Sequence, residues 1–331
     1  MPSVHHLAMK RRSLMTALLA APLAPQARAQ GDDWPAKAVR IVCPFTPGGS
    51  QDNIARRLGA KLGEQLGQSF VIDNRSGASG SIAADNVAKS PPDGYSVLLG
   101  NIGSHSLVPH LYAKPPYDPL TDLETAAWIG TQPNLIVCHP TFPHDTLPKL
   151  VAAAKAAPGK YSYGGSGIGT SPTLAMELLK QKAGIDIVLV AYRGASASAA
   201  DVLAGHLPMS VANIDSLIGQ VTSGKLKAIA TTGAKRAPGL PDVPTLAEQG
   251  FPDLVVTSWS LWSVPAGTPA KIKDKLRLNT EKALQAPDVV ASMKQGGFEP
   301  GTMTVAEADV FIRTEYKRWG EVIRAAGIKP Q

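Results

Sequence analysis

Cysteine is nearly absent from this chain: Cys43 and Cys138 are the only two in 331 residues. Neither belongs to a C-x-x-C pair, which leaves zinc-ribbon and thioredoxin chemistry without ligands. Each closes an apolar strand-like run, and two readings stay open: buried strand thiols, or one disulfide formed in an oxidising compartment. Aromatic residues make up 5% of the chain, and no Lys/Arg run follows residue 29. A nucleic-acid partner, which calls for a basic stripe, is therefore not expected. No glycine loop ends in G-K-[ST], so a Walker phosphate loop is excluded. His105, His110, His139, His144 and His206 show neither H-E-x-x-H nor another metal spacing. Neither a metal nor a cofactor is expected.

What is present begins with an address. Lys10, Arg11 and Arg12 precede an apolar run from Leu14 to Leu23, and Ala27-Arg28-Ala29 fits the small-x-small rule of a secretory signal. The run is too short for a membrane span of about 20 apolar residues. Export to the periplasm with cleavage near Ala29 is the expectation, and Arg11-Arg12 leaves the Sec and twin-arginine routes both open. Without these 29 residues, which carry four basic side chains and no acid, the formal charge falls from +7 to +3.

The remaining 302 residues suit two domains. Apolar strands alternate with helical patterns: Val39–Cys43, a helix over 51–66, Phe70–Ile72, a helix over 81–89, then Val97–Leu99. A second series runs Leu135–Cys138, a helix over 147–156, Tyr161–Tyr163, a helix from Pro172, Ile185–Ala191, helices over 196–204 and 216–223, with strands at Met209–Ala212 and Lys227–Thr231. This alternation predicts βαβ units on mostly parallel sheets. Val255–Val264 is long enough to cross between domains; Trp259 and Trp262 lie on it, with core packing the default for both. Thr268 is expected to cap a helix with Pro269 at its first position. An amphipathic helix is expected over 304–326, with Val305, Ala308, Phe311, Ile312, Tyr316, Trp319, Val322 and Ile323 on one face.

Two glycine-rich turns stand between a strand and a helix. The first is Pro44-Phe45-Thr46-Pro47-Gly48-Gly49-Ser50-Gln51-Asp52, where Ser50 or Asp52 is the candidate N-cap. The second is Gly164-Gly165-Ser166-Gly167-Ile168-Gly169-Thr170-Ser171-Pro172-Thr173, with Ser171 as cap and Pro172 at the first helical position. Glycine lets the backbone approach a ligand, and the unpaired N–H groups of the next helix favour an anion there. A dinucleotide loop would need glycine at Thr170, and a serine nucleophile would need it at Ile168. No catalytic residues are assigned. A third candidate loop, Gly100-Asn101-Ile102-Gly103-Ser104-His105-Ser106, follows Val97–Leu99 at a strand's carboxyl end.

The chain resembles the extracytoplasmic receptors of tripartite tricarboxylate transporters, the Bug-type family. The marks are Pro44 to Gly49 with Asp52; Asp73-Asn74-Arg75-Ser76-Gly77-Ala78-Ser79-Gly80; Pro92-Asp93-Gly94-Tyr95; Leu111-Tyr112 with Pro116-Tyr117-Asp118-Pro119; Tyr192-Arg193-Gly194; Leu240-Pro241-Asp242-Val243-Pro244-Thr245; and Pro265-Ala266-Gly267-Thr268-Pro269. The resemblance implies a two-domain α/β binding protein of type II-like flytrap form, each domain a mostly parallel sheet flanked by helices. It divides the chain into 1–29 as leader, 30–135 plus 260–331 as one domain, and 136–259 as the other. It implies a monomeric, non-enzymatic receptor that passes a small di-, tri- or aromatic carboxylate to integral-membrane transporter subunits. The implied ligand contacts are Phe45, Thr46, Gly48, Gly49 and Ser50; Asn101, Ser104 and His105; Ser166, Gly167, Gly169, Thr170, Ser171 and Thr173; and Asn213 and Asp215. Where relatives often carry histidine before the Leu of the second helix, this chain has Thr173. The alternatives are a ligand sensor for a signalling partner and an exported hydrolase or lyase using Ser166 or His105.

Overall fold

The computed structural model describes residues 33–167, 169–192, 194–325 and 330. The leader expected over 1–29 lies outside the described residues. The strands are β1 (Val39–Cys43), β2 (Phe70–Asn74), β3 (Ser96–Gly100), β4 (Leu123–Cys138), β5 (Ser162–Gly165), β6 (Val188–Ala191), β7 (Met209–Asn213), β8 (Lys227–Thr231), β9 (Thr257–Pro265) and β10 (Glu299–Pro300). The helices are α1 (Ser50–Leu66), α2 (Ser81–Ala88), α3 (Val108–Leu111), α4 (Leu147–Ala156), α5 (Ser171–Ala183), α6 (Ala195–Leu203), α7 (Ile214–Thr222), α8 (Ala270–Leu284), α9 (Pro287–Gln295) and α10 (Val305–Ala325).

The strand order is β2-β1-β3-β9-β4-β7-β5-β6, with β8 and β10 also paired to β4. Strands β1, β2 and β3 run parallel to one another, as do β5, β6 and β7. Every pairing made by β4 is antiparallel. Parallel βαβ series thus build two lobes, and long antiparallel strands join them. The β4 strand does most of this: Leu123 to Pro133 pairs with β9, whereas Asn134 to Cys138 pairs with β7 and β8.

The expected strand at Leu135–Cys138 is therefore the last quarter of a 16-residue strand. Its first part escapes a period-2 reading because the register slips between Thr125 and Ala127 and again between Trp128 and Gly130. Gly130 has φ of 148°, and a Cβ there would collide with the Glu299 carbonyl of β10.

In the first lobe, Val39, Ile41, Ile54, Leu58, Leu62, Val97 and Leu99 pack one apolar face of α1 onto the sheet. In the second, Tyr163, Leu174, Met176, Leu179, Ile187, Met209 and Val211 do the same for α5. Helix α10 buries Ala308, Ile312, Trp319 and Ile323, four residues of its expected stripe. It starts with a reciprocal cap: Thr304 Oγ1 accepts from the Glu307 N–H, and Glu307 Oε2 accepts from the Thr304 N–H. Trp259 stacks on Trp128, with ring centroids 6.0 Å apart, and meets Phe311 of α10 edge-on at 5.8 Å. Trp259 and Trp262 are both fully buried.

Cys43 and Cys138 are free, buried and in separate core clusters. Burial pushes the thiols up to about 12 and about 11, so both stay protonated and behave as small apolar side chains.

Candidate functional site

Both glycine turns lie where a parallel strand hands over to a helix, at the carboxyl ends of β1 and β5. Three helix starts differ from expectation. Gly49, not Ser50 or Asp52, occupies the N-cap position of α1. Asp52 sits in the first turn and ties the loop down: its Oδ2 accepts from the Gly48 N–H and from Arg56 Nε, and its Oδ1 from Asn74 Nδ2, each at 2.8 Å. Burial pushes the Asp52 carboxyl up, but these bonds outweigh it and hold it below the usual carboxylate range. Thr170, not Ser171, occupies the cap position of α5, because the Ser171 hydroxyl is drawn to Asn134 Oδ1 at 3.1 Å and Ser258 Oγ at 2.7 Å. Pro269 rather than Thr268 caps α8, since Thr268 Oγ1 donates to the Pro265 carbonyl. No side chain caps α1 or α5, which leaves first-turn N–H groups of both helices for another partner.

The two lobes meet around these turns. Ser79, on the β2–α2 connection, packs so closely on Gly169 that a Cβ on Gly169 would collide with it. Gly103 abuts the Ser79 and Gly169 carbonyls in the same way. A Cβ on Gly194 would stand 3.8 Å from Thr46 Oγ1, which sets the first turn opposite the start of α6. Between them, polar side chains of the joining strands form a floor. Gln132 Nε2 donates to Ser50 Oγ at 2.7 Å, and Ser260 Oγ donates to Gln51 Oε1 at 2.7 Å. Ser258 Oγ donates to Asn213 Oδ1, and Asn134 Nδ2 donates to the Val256 carbonyl. So Ser50, Ser171, Asn213 and Asp215 converge with the joining strands, and Thr46, Gly48, Gly49, Ser166, Gly167 and Thr170 form the partly exposed edges.

The loop around Ser79 carries backbone strain. Ala78 and Ser79 have φ of 47° and 57°, and Gly77 and Gly80 flank them with φ of 125° and 91°. Two successive non-glycine residues in the left-handed region are uncommon and persist only where surroundings enforce them.

Four expected contacts turn inward. His105 is 2% exposed, with Nδ1 against Ser104 Oγ at 2.9 Å and Nε2 against Ser263 Oγ at 2.8 Å. Ser104 is fully buried, its hydroxyl engaged with the Asn101 backbone. Thr173 is fully buried, and its hydroxyl accepts from Thr170. Phe45 lays its ring on the first-lobe core. These contacts hold the loops in place. By contrast Asn101 presents an unpaired donor: its Oδ1 accepts from the Gly103 and Ser104 N–H groups, while Nδ2 is buried without a partner. Ser79, Gln132, Asn134, Ser258 and Ser260 also stand at this boundary; apart from Ser79, which lies in a quoted motif, the sequence patterns did not single them out. Polar residues inside an apolar strand were the available sign for the last four.

Burial pushes the His105 ring down to about 4, against a hydrogen bond to the Asn101 backbone. Its ordinary value is 6.5, so the folded protein binds fewer protons than the unfolded chain between those pH values. Stability therefore falls as pH drops through that window, by about 3 kcal/mol for this group alone. Asp215 acts in the opposite sense, since burial pushes its carboxyl up to about 6 against hydrogen bonds from Ser50 and Ser216. We expect His105→Gln, compared with wild type by urea unfolding at pH 7 and pH 4.5, to lose distinctly less stability on acidification. An equal loss in the two proteins would refute the assignment.

A cavity of about 230 Å³ is lined by His105, Leu120, Thr125, Lys273, Asp309 and Arg313 among others.

Comparison with known proteins follows the same lines. The family model described as the tripartite tricarboxylate transporter family receptor matches residues 54–328. Protein BugT of Bordetella pertussis is 34% identical over 321 residues, 96% of this chain and 95% of that protein. The solved structure of R. palustris Rpa4515 with adipate superposes with a TM-score of 0.84 at 36% identity, covering 90% of this chain and all of that one. Periplasmic binding protein BugD gives a TM-score of 0.84 at 33% identity with the same coverage.

Proposed function

The chain belongs to the tripartite tricarboxylate transporter receptor family, and on that premise we propose that it captures a small organic carboxylate between its two lobes and delivers it to membrane transporter subunits. Its fold is the two-lobed α/β fold of periplasmic binding proteins. The proposed lobes are 30–135 with 260–331, and 136–259; the passage of β4 and β9 between them supports this division. The proposed setting is the periplasm, reached by a leader cleaved near Ala29, with the receptor acting as a monomer.

The observation that carries the reading is a set of unclaimed donors at the lobe boundary. The first-turn N–H groups of α1 and α5 lack side-chain caps, and Asn101 Nδ2 is buried without an acceptor. Donors without acceptors suit an oxyanion, and a relative of this fold was solved with adipate. A helix terminus contributes at most about 2 kcal/mol, whereas micromolar binding needs about 8, so several such donors must act together. Ser166 and His105 do not make a nucleophile and base: the His105 ring nitrogens are taken by Ser104 and Ser263.

Thermal unfolding of the mature chain against di-, tri- and aromatic carboxylates tests this. A ligand at about a hundred times its Kd stabilises the receptor by about 2.7 kcal/mol, and at least one acid is expected to do so. No stabilisation by any acid, with no heat in calorimetric titration, would overturn the proposal.

A further inference from the structure

Beside the stripe it buries, helix α10 lends a second one to a cavity. Val305, Asp309, Ile312 and Arg313 fall at i, i+4, i+7 and i+8, one face of the helix, and all four line the cavity of about 230 Å³. Its other walls include Leu120, Leu123, Glu124 and Thr125 around the start of β4, and Lys273 from α8. No residue of either glycine turn lines it. His105 does, but its ring nitrogens are taken by Ser104 and Ser263. An apolar cavity of about 150 Å³ holds benzene, so this one suits a compound of a few more atoms. Four of its residues carry charge, and they are not equivalent. Glu124 accepts from the Gly267 N–H at 3.0 Å and from Lys273 Nζ, so that pair is satisfied internally. Asp309 and Arg313 stand in an order that helices use for i,i+4 ion pairs, yet neither makes a side-chain hydrogen bond or ion pair among the described residues. Both are exposed, and on an open helix face that would be plain solvation. Here they border a recess with Thr125, which is 9% exposed and whose hydroxyl is likewise without a partner among the described residues. Enclosed polar groups bond to whatever fills the space beside them.

Independently of what the cleft holds, we infer that this cavity is a second small-molecule site, and that it takes a compact zwitterion with an apolar tail, the chemistry of an apolar α-amino acid. The ligand carboxylate is met by Arg313, Lys273 and the Thr125 hydroxyl, and the ammonium group, with three donors, by Asp309. Leu120, Leu123, Val305 and Ile312 cover the tail. Apolar burial supplies the affinity, and the paired charges supply the selectivity. A plain carboxylate would bring its charge to the same rim as Asp309 with nothing to offset it, and a plain amine would meet Arg313 and Lys273 in the same way.

The test is calorimetric titration of the mature protein with valine, leucine and phenylalanine, each offered whole, without its amine, and without its carboxylate. At least one whole amino acid is expected to bind roughly tenfold tighter than both of its truncated analogues, the scale of one charged hydrogen bond. Asp309→Asn and Arg313→Gln change exposed side chains, and each is expected to weaken that amino acid about threefold or more. Asp309→Asn should also narrow its lead over the acid without the amine, and Arg313→Gln its lead over the amine without the acid. Leu120→Trp, which fills the cavity, is expected to abolish binding, with thermal unfolding run alongside to confirm that the variant is folded. No amino acid bound by the wild type, a truncated analogue bound as tightly, or an affinity unchanged in either charge variant overturns the inference. So does a folded Leu120→Trp protein that still binds the amino acid, since the ligand then sits elsewhere, as in the cleft. The carboxylate reading of the cleft is decided separately, by the acid screen.

Discussion

Gly169→Ala is expected to weaken ligand capture by roughly ten- to a hundredfold, the equivalent of the about 1–3 kcal/mol that overpacking costs. Gly169 has no room for a Cβ because Ser79 of the opposite lobe stands against it. Inside a rigid core such a clash would be spread over neighbours. Here it is relieved by opening the lobes, so the cost falls on the closed state and reduces the fraction of receptor able to hold ligand. The unfolding midpoint should move little, because neither lobe's interior is touched. Ser79→Gly removes the obstructing side chain at a residue whose φ of 57° suits glycine, so the double variant is expected to recover most of the affinity. Gly219→Ala serves as control: a Cβ at Gly219 meets nothing within 4 Å. Calorimetry measures the affinities and small-angle scattering the opening. A Gly169→Ala receptor with unchanged affinity and unchanged radius would refute the closure contact.

Trp259→Ala is expected to cost about 3–5 kcal/mol of stability, the range for truncating a large buried aromatic. Trp259 is 1% exposed and joins three elements: Trp128 on β4, Phe311 on α10, and the His105 ring, whose centroid lies 6.0 Å away. The cluster clamps α10 onto the strands that join the lobes. Losing it loosens the floor as well as the core, and weaker ligand binding should accompany the lower stability. Phe311→Leu removes two edge-on ring contacts, with Trp128 and Trp259, each worth about 0.5–1.5 kcal/mol beyond its area, but keeps an aliphatic side chain on the cluster and is expected to be the milder variant. Urea unfolding followed by circular dichroism reads both; a loss below about 1 kcal/mol in Trp259→Ala would contradict the assignment.

The regular part of this fold was legible because its signals are local. Ile54, Leu58 and Leu62 at four-residue spacing specify α1, and the run Met209 to Ala212 specifies β7, since periodicity and burial agree there. The long β4 strand was not legible. Its first part contains Gly130 and Pro133 and two slips of register, and it is fixed by partners far away in the chain, β9 and β10. Helix α9 and the short β10 went unseen for a related reason, since Val289 and Met293 are the only residues α9 buries.

The site divides in the same way. The glycine turns announced themselves, because glycine and a following helix are sequence-local features. The inward turn of His105 and Ser104 was not, as it depends on Ser263, distant by 158 residues. Ser79 was visible as part of a motif, but its contact with Gly169 exists only when the two lobes are brought together. Asp215 was named from resemblance alone.

The central claim is that one carboxylate is held between the two glycine turns. A crystal structure of the mature receptor, with the acid that most raises its unfolding temperature, tests it directly. The account predicts carboxylate oxygens within about 3.2 Å of a backbone N–H from the start of α1, one from the start of α5, or Asn101 Nδ2, with both lobes contributing. A ligand held by one lobe alone, or lodged in the cavity lined by Lys273 and Arg313, would contradict it.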